Sequence, residues 1–222
     1  MVEISTSILS INQDEIITKI YDLETAKTDF FHIDVMDGIF VKNNTNELMN
    51  NYCEYIKQIS NIPLDIHLMV SDVKTYIKNY LVYEPSIITF HLEACKSSDE
   101  IFELINFIKQ NNCKVGISIK PDTKIDEIKS FLPYINMCLI MTVEPGEGGQ
   151  KLLTHTIDKI KDLKNYIENN NLDTFIEVDG GIDLENIKTI KDAGADIIVS
   201  GSCIINSNDM KDTISKMKLI DL

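Results

Sequence analysis

The chain has 222 residues, 44% hydrophobic and 25% charged, with a formal net charge of -14. Without a biased tract or a long polar run, that composition excludes fibrous and disordered classes and supplies enough apolar material for one core. The acidic balance argues against nucleic acid or an anionic membrane as partner, because both are bound through basic patches that release counterions.

No run of about 18 apolar residues occurs. The opening "MVEISTSILS" has neither a basic segment nor a continuous apolar one, so neither a membrane span nor a secretion signal is expected and the chain reads as cytoplasmic. Cys53, Cys95, Cys113, Cys138 and Cys203 are far apart and form no C-x-x-C pair, which fits reduced, mostly buried thiols better than a disulfide framework or a thiolate zinc site.

In chain order, eight short segments rich in β-branched residues read as strands: 2–9, 29–35, 63–70, 86–93, 113–119, 137–143, 174–180 and 196–201. The stretches between them carry helical periodicity with a solvated face, as in "DEIFELINFIK" (99–109) and "IDKIKDLKNYI" (157–167). Eight βα units predict parallel strands with helical crossovers, and their even length favours a closed (β/α)8 TIM barrel with eight parallel strands over an open sheet. No Pro, Gly or Ser-rich linker divides the chain, so residues 1–222 are read as a single domain. Asn12 or Asp14 suits the cap of the first helix, and Gly194 suits the position just past the end of a late one.

In such a barrel the side chains at the carboxyl ends of the strands share one mouth, where sites are built. His32 and Asp34 are two apart on the second strand and point the same way, as do His67 and Met69 on the third. Asp179 ends the seventh strand. Two imidazoles and two carboxylates converging there would be costly to bury without partners or a metal, and the set suits Zn, Fe, Mn or Co. His91, with Glu93 of the same parity, reads as structural before it reads as a spare ligand or as a donor behind the ligands. Met36, Met69 and Met141 can line a dry floor. Polar residues at strand starts or on helices, such as Asp65 and His155, read as ordinary surface.

Glycines mark the other side of the mouth. "VEPGEGGQ" (143–150), "DGG" (179–181) and "VSGS" (199–202) follow late strands, where backbone N–H groups of a barrel can grip a phosphate.

Together "SILS" (7–10), "HIDVMDGIFV" (32–41), "IHLMV" (66–70), "TFHLEA" (89–94), "MTVEPGEGGQK" (141–151), "EVDGGI" (177–182) and "AGADIIVSGS" (193–202) resemble the ribulose-phosphate 3-epimerase family, in family order from first strand to last. The resemblance implies a metal-dependent (β/α)8 enzyme interconverting D-ribulose 5-phosphate and D-xylulose 5-phosphate in the pentose phosphate pathway. It implies one divalent ion per subunit, Zn before Fe, Mn or Co, on His32, Asp34, His67 and Asp179. Asp34 and Asp179 would be the acid/base pair, and Ser7 and His67 substrate contacts beside Met36, Met69 and Met141. Gly146, Glu147, Gly148, Gly149, Gly180, Gly181, Gly201 and Ser202 would surround the phosphate end, and a homo-oligomer would be the working form.

The chain departs from that family at three places: Thr6 stands where Pro is common, "VKNNTN" (41–46) replaces a "VPN" segment with a following Phe, and Glu147 replaces the aromatic of a "PGFGG" loop. A carboxylate aimed at phosphate would repel it, so Glu147 is expected to face solvent on a mobile lid. A hexulose 6-phosphate such as D-allulose 6-phosphate would suit the same ligands. Metal-dependent hydrolysis is disfavoured, since no H-x-H pair occurs on the first strand and a hydrolase needs no paired carboxylates. A sugar-phosphate sensor would need the glycines but not both Asp.

Overall fold

The computed structural model describes residues 2–219, so residue 1 and residues 220–222 of the expected domain lie outside the described residues. The strands are β1 (Glu3–Ser7), β2 (Phe30–Met36), β3 (Leu64–Met69), β4 (Ile87–His91), β5 (Lys114–Ile119), β6 (Met137–Met141), β7 (Phe175–Asp179) and β8 (Ile197–Ser200). Every neighbouring pair is parallel and β1 pairs with β8, which closes the barrel in chain order. The described residues form α1 (Ile16–Thr25), α2 (Asn46–Ile59), α3 (Val73–Leu81), α4 (Ser98–Gln110), α5 (Thr156–Asn169), α6 (Ile187–Asp192), α7 (Ser202–Ile205) and α8 (Met210–Lys218). None of these helices is long and apolar enough to cross a membrane.

Alternation along the strands explains the layers. On β2, Phe31, Ile33 and Val35 face the helices and join the main apolar core, as Leu64, Ile66 and Leu68 do on β3. The helices answer with their own stripes, such as Ile101, Leu104, Ile105 and Ile108 on α4, each burial contributing about 1.5–3 kcal/mol. Residues of the other parity fill the barrel interior, and there this chain is polar: Ser5, His32, Asp34, Asp65, His67, Thr89, His91, Ser118 and Glu177 are all buried.

Three expectations need amendment. The crossover from β5 to β6 contains no α-helix, only 3-10 turns at Ile125–Glu127 and Leu132–Tyr134. Pro121 and Pro133 interrupt any helix there, while Ile128, Phe131 and Leu132 still plug the barrel wall. Neither Asn12 nor Asp14 caps α1: the helix is entered through a 3-10 turn at Gln13–Glu15, and the Asn12 amide instead donates to Glu15. Asp65 is not surface, being 2% exposed and pointing into the barrel. Gly194 does follow α6 as expected, with φ +111° and its N–H on the Lys191 carbonyl.

Candidate active site

The strand register sets the site. Ser7 lies opposite His32, Asp34 opposite His67, Met36 opposite Met69, and Met141 opposite Asp179. These pairs all fall at or near the carboxyl ends of their strands, so the side chains of β1, β2, β3, β6 and β7 meet at one end of the barrel.

There His32 Nε2 and His67 Nδ1 each stand 3.4 Å from Asp34 Oδ1, and lie 3.9 and 3.7 Å from Asp179 Oδ2. Neither ring nitrogen has a hydrogen-bond partner, although both are buried. Two ligands held 2.0–2.1 Å from one tetrahedral ion stand about 3.3 Å apart, so these spacings fit a cation between the four groups. His32, Asp34, His67 and Asp179 therefore form a cluster able to hold a metal. Asp34 Oδ2 is kept apart from it by the Ser7 hydroxyl, which donates at 2.7 Å.

Below lies a set of carboxylates that also includes His32, namely Asp65 and Glu177. It is of a different kind. His32 Nδ1 is 2.6 Å from Asp65 Oδ2, a hydrogen-bond length that places a proton between them rather than a metal. The Ser5 hydroxyl donates to the same oxygen at 2.7 Å. Burial and then the charge of Asp65 push the Glu177 carboxyl well up, toward its neutral form, and neither Glu177 oxygen has a hydrogen-bond partner among the described residues.

The electrostatics separate the two upper carboxyls. Burial raises Asp179, and the charge of Asp34 raises it further, to about 6. Burial also works against the Asp34 charge, yet the charge of His32 holds it far below the ordinary carboxylate range. For His32, burial opposes the imidazolium but the charges of Asp65 and Asp34 outweigh it, so the ring titrates well above its ordinary value.

Above the cluster opens a cavity of ≈ 1060 Å³. Asp34 and Asp179 line it with Ser7, Met36, Met69 and Met141, and its far wall is Gly146, Glu147, Gly148, Gly149, Gly180, Gly181, Gly201 and Ser202. His67, expected to touch substrate as well as metal, and His32 are both fully buried beneath this wall. Glu147 is exposed while also lining the cavity, and its backbone carbonyl accepts from Gln150. Gly181, at φ +68°, lies so close to the next loop that a Cβ would come within 2.3 Å of the Leu152 nitrogen. That crowding admits only glycine. The altered 41–46 segment does reach the mouth: Asn43 Nδ2 donates to the Gly146 carbonyl at 2.7 Å, and Val41 packs against the same glycine.

Sequence reasoning missed Asp65, Glu177 and Asn43. The first two were within reach, because Asp65 shares the inward parity of His67 and Glu177 that of Asp179. Asn43 gave no signal, since its partner lies 103 residues away. Asp37 begins the loop leaving β2, accepting from the N–H groups of Ile39, Phe40 and Ser71.

A closed eight-stranded parallel barrel with an imidazole and carboxylate cluster under a glycine-walled mouth defines the class, a (β/α)8 barrel with an enzyme-type site. The ribulose-phosphate 3-epimerase family model matches residues 3–205. A ribulose-phosphate 3-epimerase of Methanocaldococcus jannaschii is 37% identical over 98% of this chain and 90% of its own length. One from Bacillus subtilis is 34% identical over 98% and 99%. The chain belongs to the ribulose-phosphate 3-epimerase family and is an isomerase of the carbohydrate epimerase kind. Among solved structures, KGPDC from Streptococcus mutans superposes with a TM-score of 0.74 at 14% identity, covering 98% of this chain and 95% of that one. Orotidine 5'-monophosphate decarboxylase from Sulfolobus solfataricus gives 0.66 at 10%, covering 99% and 97%. At such identities the likeness is one of fold.

Proposed function

We propose that the chain interconverts D-ribulose 5-phosphate and D-xylulose 5-phosphate by inverting C3 with two carboxyl groups. The observation that carries this reading is the convergence of the Asp34 and Asp179 carboxyls, from β2 and β7, at the floor of one cavity, where a ligand atom of each lies within 4.8 Å of the other. Two carboxyl groups at one reacting centre are what removing a proton and returning one requires.

Inversion at C3 removes a proton α to the C2 carbonyl and returns one to the opposite face. In the direction where Asp34 takes the proton, Asp179 delivers it, and in the reverse direction the roles exchange. Ser7 steadies Asp34 through its 2.7 Å hydrogen bond, and the three methionines wall the reacting carbons from water. Backbone N–H groups of Gly146, Gly148, Gly149, Gly180, Gly181, Gly201 and Ser202 hold the phosphate. This matters because the net charge of -14 offers no long-range attraction for an anion. A divalent ion on His32, Asp34, His67 and Asp179, Zn2+ ahead of Fe2+, Mn2+ or Co2+, would supply Lewis-acid charge where the enediolate develops.

Proton NMR of the metal-loaded protein with D-ribulose 5-phosphate in heavy water tests the reading directly. C3-deuterated xylulose 5-phosphate should accumulate, and Asp34→Asn and Asp179→Asn should each slow exchange by about 10²- to 10⁴-fold. Retained turnover in either variant sinks the two-carboxyl assignment. Faster turnover of D-allulose 6-phosphate than of the pentulose would move the substrate to the hexulose series.

A further inference from the structure

Each of the two buried imidazoles turns one nitrogen to the cluster and the other to a separate partner. For His32 that partner is Asp65 Oδ2, 2.6 Å from Nδ1. For His67 it is a second imidazole, with His67 Nε2 2.9 Å from His91 Nε2. His91 Nδ1 in turn lies 3.2 Å from Glu93 Oε2. The other oxygen of Glu93 accepts from the Lys120 N–H at 2.8 Å and from the Thr123 hydroxyl.

The direction of the longer chain follows from its two ends. Glu93 is acceptor only, so the proton of His91 belongs on Nδ1 and its Nε2 is a lone pair. That lone pair needs a donor, which places a hydrogen on His67 Nε2 and leaves His67 Nδ1 bare toward Asp34 and Asp179. On the other side, Asp65 already receives the Ser5 hydroxyl and draws the His32 proton to Nδ1, leaving Nε2 bare when a cation displaces its proton.

We infer that Asp65 and the His91–Glu93 pair are positioning residues that lock both imidazoles in the tautomer that turns a lone pair to the cluster. This rests on the metal reading of that cluster. The two ligands are held unequally, His32 directly by a carboxylate and His67 through a neutral ring that carries carboxylate influence from the β4 and β5 loops. Partners of this sort commonly change metal affinity by about 10- to 100-fold.

Two measurements test it. Long-range ¹H–¹⁵N correlation of the Zn2+-loaded wild-type protein should show hydrogen on His32 Nδ1, His67 Nε2 and His91 Nδ1. Hydrogen on His67 Nδ1 or His91 Nε2 overturns the inference without any mutation. Zn2+ dissociation constants, by competition with a chromophoric chelator, should rise about 10-fold or more in Asp65→Asn and about 10- to 100-fold in His91→Leu. His91→Gln, whose amide oxygen can stand where Nε2 accepts, should stay within a few-fold of wild type, a rescue that a purely structural role would not produce. If Asp65→Asn does not fold, the tautomers and the two His91 variants still decide. Tight uptake by wild type with unchanged uptake by Asp65→Asn and His91→Leu overturns this inference alone. No uptake by wild type removes the metal reading beneath it.

Discussion

His91 shows how one buried side chain writes itself into the pH dependence of the molecule. Burial holds its pKa down to about 4 from an ordinary 6.5, against the pull of Glu93. Between those values the unfolded chain binds a proton that the folded chain refuses, so stability falls as pH drops from 6.5 toward 4. That difference corresponds to about 3 kcal/mol. Urea unfolding of chelator-treated protein at pH 4.5 and 6.5 should show a clearly smaller difference in His91→Gln than in wild type, and an equal difference would place the acid lability elsewhere. Glu93 acts in a lower window: burial opposes its charge, but hydrogen bonds from His91, Lys120 and Thr123 hold it at about 2. Its contribution is therefore lost only as pH falls from its ordinary 4.5 toward 2.

At the scale of elements, the barrel uses one device repeatedly at its amino-terminal rim. The side chain of the residue just before β2, β6 and β8 accepts the first free N–H of the strand before it. Asp29 takes the Ile4 N–H at 2.7 Å, Asn136 the Val115 N–H at 3.0 Å, and Asp196 the Ile176 N–H at 2.8 Å. The Ile4, Val115 and Ile176 residues are all fully buried, so each N–H would otherwise be orphaned. Asp196→Ala should cost about 1–3 kcal/mol in urea unfolding, the penalty for one unsatisfied buried group. Lys164 reaches the other oxygen of Asp196 at 3.4 Å in a partly exposed pair, and Lys164→Met should cost under about 1 kcal/mol. Equal losses in the two variants would show that the ion pair, not the backbone contact, carries the effect.

Over the whole molecule, the cluster joins the neighbouring strands β2 and β3 on one side of the barrel to β7 across the interior. A cation there would bind only the closed barrel, because the unfolded chain scatters ligands from residues 32 to 179. Stability gained in this way follows mass action and reaches about 2.7 kcal/mol at a free metal concentration 100 times the dissociation constant. Thermal unfolding should therefore shift upward with added Zn2+ and fall after chelation. The shift should vanish when Asp34 and His67 are both replaced by Ala. A shift that survives the double replacement would locate metal uptake outside this cluster.

The amino-acid sequence by itself determined the alternation of strand and helix, the inward parity of His32, Asp34, His67 and Asp179, and the placement of glycines after late strands. All of these are set by local periodicity and by residue chemistry over a few neighbours. Helical periodicity extended through the β5–β6 crossover misleads there, although Pro121 and Pro133 are visible warnings. Asp65 misleads because its place at a strand start outweighs its parity. Only the closed barrel decided which polar residues become partners: Asp65 with His32, His67 with His91, Asn43 with Gly146. Those contacts depend on strand register and barrel closure, which bring together groups separated by 24 to 103 residues. Local preference carries no information over such distances, whereas the geometry of the packed barrel fixes them.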